Sequence, residues 1–146
     1  MTRSGNSMGE GKLLHVTAEL NNLATIRAFV EEAGLSYGFG EDLVFGMVLA
    51  VDEAATNVIV HGYRGRPGGI DVEVRREQEF AVVTVRDNAP PFNPESIPMP
   101  DVTVPLEQRK PGGLGIFLIR QFAEQIIHRT TPMGGNELIL MKRISA

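Results

Sequence analysis

The 146-residue sequence contains no cysteine, which excludes disulfide bridges and thiolate metal sites. Positive charge is also scarce: 14 lysines and arginines stand against 18 carboxylates, giving a formal net charge of −4, and no basic run occurs. A surface for nucleic acid or an anionic membrane is therefore not expected. No uninterrupted apolar run approaches the ~20 residues that span a bilayer, and the N-terminus lacks the apolar segment of a signal peptide. We expect a cytoplasmic protein that contacts neither membrane nor nucleic acid directly.

What the sequence does contain is the composition of an ordinary globular domain. The hydrophobic fraction is 42% and the charged fraction is 22%. A chain of this length corresponds to about one domain and is long enough to bury a hydrophobic core. We expect residues 1–11 to form a flexible tail and residues 12–146 to form a single domain.

Hydrophobic periodicity divides the chain into strands and helices. Alternation predicts strands at residues 12–19, 70–75, 80–86, 126–131 and 137–142. Helical spacing predicts helices from about 23 to 34, from about 41 to 61, and over 112–126. Asn21 or Asn22 is expected to cap the first helix, and Gly34 to end it. Hairpin-joined strands with three helices predict a two-layer α/β sandwich, with a mostly antiparallel sheet and the helices on one face.

Residues 88–110, between the third strand and the third helix, show neither the alternation of a strand nor the spacing of a helix. Seven of the nine prolines fall between Pro90 and Pro111, which is incompatible with regular structure there. A loop of this length inside a domain is usually either functional or disordered.

Two polar residues interrupt the apolar pattern of the long helix. Glu53 and Asn57 are four residues apart and therefore lie on one helix face. Gly46 and Ala50 share that face and leave room for another group to approach. Taken alone, such a pair is most simply a solvated helix surface. Whether Glu53 and Asn57 have a function therefore depends on which other polar residues the fold brings close to them.

Two further segments bear on that question. Asp87 ends a strand in "VRDNAPPF", and Gly112, Gly113 and Gly115 open a helix in "PGGLGIF". Backbone N–H groups and the positive end of a helix dipole can bind a phosphate. Alternatively, a glycine cluster can serve as a flexible hinge, or it can allow two parts of the chain to pack closely. The spacing matches neither the dinucleotide-binding motif nor the P-loop.

Together, "DEAATN", "DNAPPFNP" and "GGLGIFLI" resemble, in this order and at these separations, the motifs of the GHKL (Bergerat) ATP-binding fold. Gyrase B, the mismatch-repair ATPase, the ninety-kilodalton chaperone and the histidine kinases share this fold. Within it, "DEAATNVIVHGY", "PPFNP" and "GGLGIFLIR" are most similar to the anti-sigma regulatory serine kinases. The resemblance covers about residues 13–143.

The resemblance implies bound ATP and Mg²⁺, with Glu53 as general base and Asn57 as a ligand of Mg²⁺. Asp87 would accept a hydrogen bond from the adenine amino group. Backbone N–H groups in the glycine-rich segment would contact the phosphates, and residues 88–112 would form a lid over ATP. The phosphate-binding positions are Gly113, Leu114 and Gly115.

Two positions depart from the wider pattern of that fold. Ala89 stands where glycine is usual in the acidic segment, and it fits if its φ is negative. Asn136 follows Gly135 where threonine is usual, and we expect it near the adenine. The lone histidines His15 and His61 are expected to be structural or solvated.

The resemblance implies an ATP-dependent serine/threonine protein kinase in a partner-switching system. It would hold a sigma factor inactive, or phosphorylate a STAS-type antagonist of the anti-sigma factor. Homodimers are common among such proteins. The alternative is a nucleotide-dependent binding module without phosphotransfer, but the presence of Glu53 favours the kinase. A sensor-kinase catalytic domain is disfavoured because a dimerisation helix pair is missing.

Overall fold

The computed structural model describes residues 11–90 and 113–144, and for residues 113–116 only the backbone. The predicted tail and most of the predicted lid therefore lie outside the described residues. Three helices are present: α1 (Leu23–Ser36), α2 (Glu41–Asn57) and α3 (Gly113–Phe122). The five strands are β1 (Lys12–Thr17), β2 (Gly69–Glu77), β3 (Phe80–Asp87), β4 (Gln125–Thr130) and β5 (Asn136–Arg143).

The strands form one sheet in the order β1-β2-β3-β5-β4, and every neighbouring pair is antiparallel. The helices cover one side, and the core lies between them and the sheet. Its centre contains Met47 and Val51 from α2 and Val72, Val83 and Leu140 from the strands, all fully buried. The predicted two-layer α/β sandwich is therefore confirmed.

Helix α1 begins at Leu23 as predicted, but its expected side-chain cap and its expected end at Gly34 are wrong. Asn22 does precede the helix, but its side chain does not cap it; the amide instead donates to the Thr17 carbonyl at 2.9 Å and to the Thr17 hydroxyl. Gly34 does not end α1, which continues to Ser36. This glycine is buried, and a Cβ there would lie 2.9 Å from Val44 Cγ2. Its small size permits α1 to pack closely on α2.

The long predicted helix changes from an α-helix to a π-helix within the segment "DEAATNVIVHGY". Its α-helical part ends at Asn57, and a π-helical turn follows over Val58–Tyr63. Arg64 then adopts a left-handed conformation, and its N–H bonds to the Ile59 carbonyl. Such widened turns are frequent at functional sites. Here the change begins directly after Asn57.

The combined helical segment Glu41–Tyr63 is long and apolar enough to be a candidate membrane span, by length and composition alone. The sequence shows no uninterrupted apolar run of this length here, because Asp52 and Glu53 lie within the segment. Half of its apolar stretch is buried inside the protein, as in the core helix of a sandwich.

Helix α3 is shorter than predicted. It ends at Phe122, because Glu124 N–H already bonds to the Met141 carbonyl and β4 begins at Gln125. Phe122 also explains Gly46: a Cβ on this glycine would lie 3.1 Å from the Phe122 ring. The group that approaches Gly46 is thus the Phe122 side chain of α3.

The other side of the sheet carries a row of alternating charges. Asp71, Arg86, Glu137 and Arg129 occupy one register level on four neighbouring strands. Glu137 accepts hydrogen bonds at 2.7 Å from Arg86 and from Arg129. On the same face, Val82 and Ile139 are buried although they do not face the helices. Long charged side chains lie next to these two residues, since Arg75 pairs with Val82 and Glu137 precedes Ile139 by two positions on β5. No helix in the described part of the chain covers this face.

Candidate functional site

A small cavity lies between the end of α2 and the edge of the sheet where β3 ends and β5 begins. Its volume is about 10 Å³, enough for roughly one water molecule. The lining includes three of the polar residues singled out in the sequence: Asn57, Asp87 and Asn136. Residues separated by up to 79 positions in the chain therefore converge at one place.

Asp87 is the acidic residue of this cavity and is 5% exposed. Its Oδ1 accepts a hydrogen bond from Asn136 Nδ2 at 2.8 Å and from the Ala89 N–H at 2.9 Å. Burial raises the pKa of the Asp87 carboxyl above its ordinary value, while these two bonds and the nearby His128 act to lower it. The carboxylate is thus held in a fixed direction, in an environment that disfavours its charge.

Asn136 lies directly opposite Asp87 in the antiparallel pairing of β3 with β5. This register explains why the two side chains meet. Its amide nitrogen also approaches the carbonyls of Ala89 and Pro90, each at 3.4 Å. Asn136 therefore links the first residue of β5 to the chain that follows β3.

Asn57 is the most unusual residue of the cavity. Its side chain is 1% exposed, and neither its amide oxygen nor its amide nitrogen has a hydrogen-bond partner among the described residues. An unpaired buried carboxamide costs on the order of 1–3 kcal/mol, so such groups usually have a reason to be retained. A ligand that supplies the missing partner is one such reason.

Glu53 lies one helical turn before Asn57 and is half-buried. It does not belong to the cavity lining, and the described part of the chain offers its carboxylate no hydrogen bond or ion pair. Burial, and then the neighbouring Asp52 charge, raise the pKa of Glu53. The carboxylate is consequently a better proton acceptor than an ordinary glutamate.

The glycine-rich segment forms the first turn of α3, which begins at Gly113 and includes Leu114 and Gly115. The prediction that these residues open a helix is confirmed. Ala89 is buried, and the non-glycine residues with positive φ in the described chain are Arg64 and Gln78. The condition stated for Ala89, a negative φ, is therefore met.

Gly135 is required by a close backbone approach. A Cβ at this position would collide with the backbone oxygen of Asp87 and lie 2.8 Å from Asn88 Cα. Only glycine allows β5 to begin this close to the end of β3. This contact brings Asn136 within hydrogen-bonding distance of Asp87.

Two residues near the cavity were missed by sequence analysis. His128 lines it, and its Nε2 lies 3.3 Å from Asn136 Oδ1. The alternation of β4 could have revealed this, since His128 shares a sheet face with Ile126. The second residue is Tyr63, whose hydroxyl donates to the Gly69 carbonyl at 2.7 Å and accepts from the Asn88 N–H at 2.9 Å.

Tyr63 also explains why position 68 is a glycine. A Cβ at Gly68 would collide with the Tyr63 ring. The ring therefore needs glycine beneath it to reach Asn88, the residue after Asp87. The π-helical turn that contains Tyr63 thus supports the site from a second direction.

Comparison with known proteins agrees with this geometry. Residues 16–142 match the sequence profile of the histidine kinase-like ATPase domain. The chain belongs to this family. The residues that line the cavity come from five elements, α2, its π-helical turn, β3, β4 and β5, and all of these lining residues lie within the matched range.

Two relatives of this chain are named as protein kinases. The chain is 27% identical over 129 residues to the serine/threonine-protein kinase BtrW of Bordetella bronchiseptica, covering 85% of this chain and 90% of the relative. It is 27% identical over 121 residues to the serine-protein kinase RsbW of Bacillus mycoides, covering 79% and 76%.

A solved structure shows the same fold. It contains the RsbU and RsbW domains of a Mycobacterium tuberculosis protein and superposes with a TM-score of 0.59 at 18% identity. The match covers 92% of this chain but only 33% of that one, so this ATPase domain corresponds to about a third of the larger protein.

Proposed function

We propose that this protein is an ATP-dependent serine/threonine protein kinase that also acts as an anti-sigma factor in a partner-switching system. The observation that supports this most directly is the buried carboxamide of Asn57, which has no hydrogen-bond partner among the described residues and lies in one cavity with Asp87 and Asn136. Membership of the ATPase family and the names of the two kinases described above point to the same activity.

ATP would enter with its adenine directed at Asp87. The Asp87 carboxylate is an acceptor, which suits the amino group of adenine and not the carbonyl that guanine has at the same place. Asn136 and Ala89 would hold Asp87 in position through their hydrogen bonds to its Oδ1. Because the cavity now has room for about one water, the purine would extend outward from it.

The phosphates would lie at the first turn of α3, where Gly113, Leu114 and Gly115 offer backbone N–H groups at the positive end of the helix. Residues 88–112, which include Arg109 and Lys110, would close over the nucleotide as a lid. Together with Asp87, these contacts would fix the nucleotide at both ends.

Asn57 fits a role as a magnesium ligand. Its amide oxygen is a hard donor that has no partner among the described residues. In the described chain, no group of three histidine or carboxylate side chains could hold a metal ion by itself. Mg²⁺ would therefore be shared between Asn57, phosphate oxygens and water, and it would neutralise phosphate charge.

Glu53 would act as the general base. Its carboxylate would take the proton from the serine or threonine hydroxyl of the substrate, while the γ-phosphoryl group passes to that oxygen and ADP leaves. The raised pKa of Glu53, caused first by burial and then by Asp52, suits this task. No hydrogen bond within the described chain competes for the carboxylate.

The substrate we propose is a STAS-type antagonist protein, and the other partner is a sigma factor. Phosphorylation would release the antagonist, because a doubly charged group in an interface adds repulsion and desolvation cost. We further propose that the protein works in the cytoplasm, as a homodimer, and without direct contact to nucleic acid.

A second function has one observation in its favour. Because Glu53 is absent from the lining of the cavity that contains Asn57 and Asp87, the site could bind nucleotide without transferring phosphate. The protein would then be a nucleotide-gated binding module.

The substitution Glu53→Gln separates the two functions. We expect the variant to bind Mg-ATP nearly as well as the parent, because the amide has the same size. We expect transfer of labelled phosphate to the antagonist to slow by roughly 10²–10⁴-fold, the range usual for a positioned base. Full transfer activity in this variant would remove Glu53 from catalysis, and no transfer by the parent would favour the binding module.

A further inference from the structure

A second concave surface lies on the helical layer, away from the nucleotide site. It is a groove of about 670 Å³ between α1 and the first two turns of α2, and it shares no lining residue with the cavity around Asn57. Its lining is partly apolar and partly acidic. The residues that matter here are Leu35, Phe45 and Val48, together with Glu31, Glu41 and Asp42.

The apolar residues of the groove are unusually exposed. Phe45 is 67% exposed and Leu35 is 51% exposed. The opposite face of the sheet is different, because its apolar residues Val82 and Ile139 are buried. In the groove nothing among the described residues shields the apolar surface, which is typical of an interaction site.

The charges of the groove are also uncompensated. Glu31, Glu41 and Asp42 form no ion pair with any residue in the described ranges. The single cation of the lining, Arg27, is bound to Asp52 by a hydrogen bond of 2.9 Å. Glu41 and Asp42 also complement the dipole at the start of α2, but Glu31 stands within α1 and has no such role.

We propose that this groove binds an amphipathic helix with a basic flank, presented by a partner protein. Its apolar face would cover Phe45, Leu35 and Val48, and its lysines or arginines would lie beside the three carboxylates. The lining residues on α1 and α2 extend over roughly 10–12 Å of helix, which matches about two turns of a partner helix.

The charge pattern argues against the other occupants. In a symmetric contact between two copies, the same patch would face itself and bring the carboxylates of both copies together. An anionic membrane or a nucleic acid would be repelled by the same groups. A cationic helix is the occupant that satisfies both the apolar and the acidic parts of the groove.

The test uses a fluorescent 18-residue amphipathic peptide of leucine and lysine, with a scrambled peptide of the same composition as reference. Anisotropy titrations at low salt should show that the parent protein binds the amphipathic peptide more tightly than the scrambled one. Phe45→Ser and Glu31→Lys should each weaken this binding about tenfold or more, the loss expected for a central interface residue.

Two matched variants serve as controls. Met133→Ser removes an apolar side chain that is 88% exposed but lies outside the groove. Glu19→Lys changes the net charge by the same amount as Glu31→Lys at an exposed position on another part of the chain. Both should bind the peptide like the parent, and circular dichroism should show that all four variants are folded.

Two results would overturn the proposal that the groove binds a basic amphipathic helix of a partner protein. Equal binding of the two peptides, or equal losses in the test and control variants, would mean that net charge alone attracts the peptide. A parent dimer that becomes monomeric with Phe45→Ser, measured by sedimentation, would assign the groove to a second copy. Mg-ATP binding, measured separately on Phe45→Ser, should be unchanged, so these results do not depend on the proposed kinase activity.

Discussion

At the scale of single residues, the site is built from polar groups that the fold itself does not need. The Asn57 carboxamide is buried and finds no hydrogen-bond partner in residues 11–90 or 113–144, and burial disfavours the charge of Asp87 and of Glu53. Each of these features lowers the stability of the free protein. Residues of this kind are retained when a ligand or a reaction uses them.

The first prediction at this scale concerns Asn57→Ala. Mg-dependent ATP binding should be lost, because a ligand atom disappears while the helix remains. The melting temperature should stay equal or rise, since alanine is the better helix former and removes an unpaired amide. Calorimetric titration with and without Mg²⁺ measures the first effect and thermal unfolding the second. Unchanged Mg-ATP affinity in a folded variant would show that Asn57 is not a metal ligand.

The second prediction concerns Asp87→Asn, which keeps the shape and can still accept the bonds from Asn136 and Ala89. ATP binding should weaken by on the order of 1.5–3 kcal/mol, with less preference over GTP. The folded-state pKa of Asp87 is raised, so the ionised carboxylate destabilises the fold at neutral pH and this penalty fades as pH falls through that pKa.

Asp87→Asn should therefore melt at a higher temperature than the parent at pH 7, and this gain should shrink at acidic pH. Thermal unfolding of both proteins from pH 7 to acidic pH measures whether the difference in melting temperature is positive and whether it shrinks as predicted. A variant that is less stable at pH 7 and binds ATP with parental affinity would contradict both parts of the argument.

At the scale of elements, the pairing of β3 with β5 holds the site together. Asp87 pairs with Asn136, and the preceding pair is Arg86 with Glu137. Successive residues of a strand point to opposite faces, so the first pair faces the cavity and the second faces away from the helices. The Arg86–Glu137 ion pair thus joins β3 to β5 on the sheet face opposite the cavity, one residue away from the Asp87–Asn136 pair.

The prediction for this element uses Glu137→Gln. Burial raises the pKa of Glu137, but the hydrogen bonds from Arg86 and Arg129 prevail and the pKa is lowered. A carboxyl with a lowered folded-state pKa contributes stability above its unfolded pKa, and this is lost as pH falls through the folded value. The variant should therefore be less stable than the parent at pH 7, with a difference that narrows below about pH 4.5.

Urea unfolding at several pH values measures this effect. Glu79→Gln is the matched control, because Glu79 pairs only at the surface with Arg143, where both side chains are largely exposed. It should change stability little at any pH. A pH-independent loss in Glu137→Gln would show that its charge is not responsible.

At the scale of the whole molecule, nucleotide binding and folding are linked. A ligand that binds only the folded state stabilises it by about 2.7 kcal/mol at a concentration of one hundred times Kd. For a chain of this size, Mg-ATP should raise the melting temperature by roughly 5–10 °C. The shift should be smaller with ATP plus a chelator, and Asn57→Ala should abolish this difference. No shift with ATP in the parent would count against the nucleotide site as a whole.

Much of the fold follows from local pattern. Alternation located the ends of all five strands within two residues, and the helical spacing of α1 buries Ile26, Val30 and Ala33. The errors arose where tertiary contacts override local preference. Asn22 bonds to Thr17 instead of capping α1, and the glycines Gly34 and Gly46 fit beneath Val44 and Phe122. The role of each of these residues depends on which side chain packs against it, and local sequence pattern does not reveal that neighbour.

The sequence by itself determined the family resemblance and the residue types of the site, because motif order and spacing survive in one dimension. It also determined the net charge, the lack of cysteine and the two-layer architecture. Only the tertiary structure decided that Asn57 is buried without a partner in the described part of the chain, that Gly135 brings Asn136 onto Asp87, and that His128 and Tyr63 belong to the same region. It also revealed the acidic groove around Phe45. These properties depend on which strands pair and how helices pack, and such contacts join residues far apart in the chain.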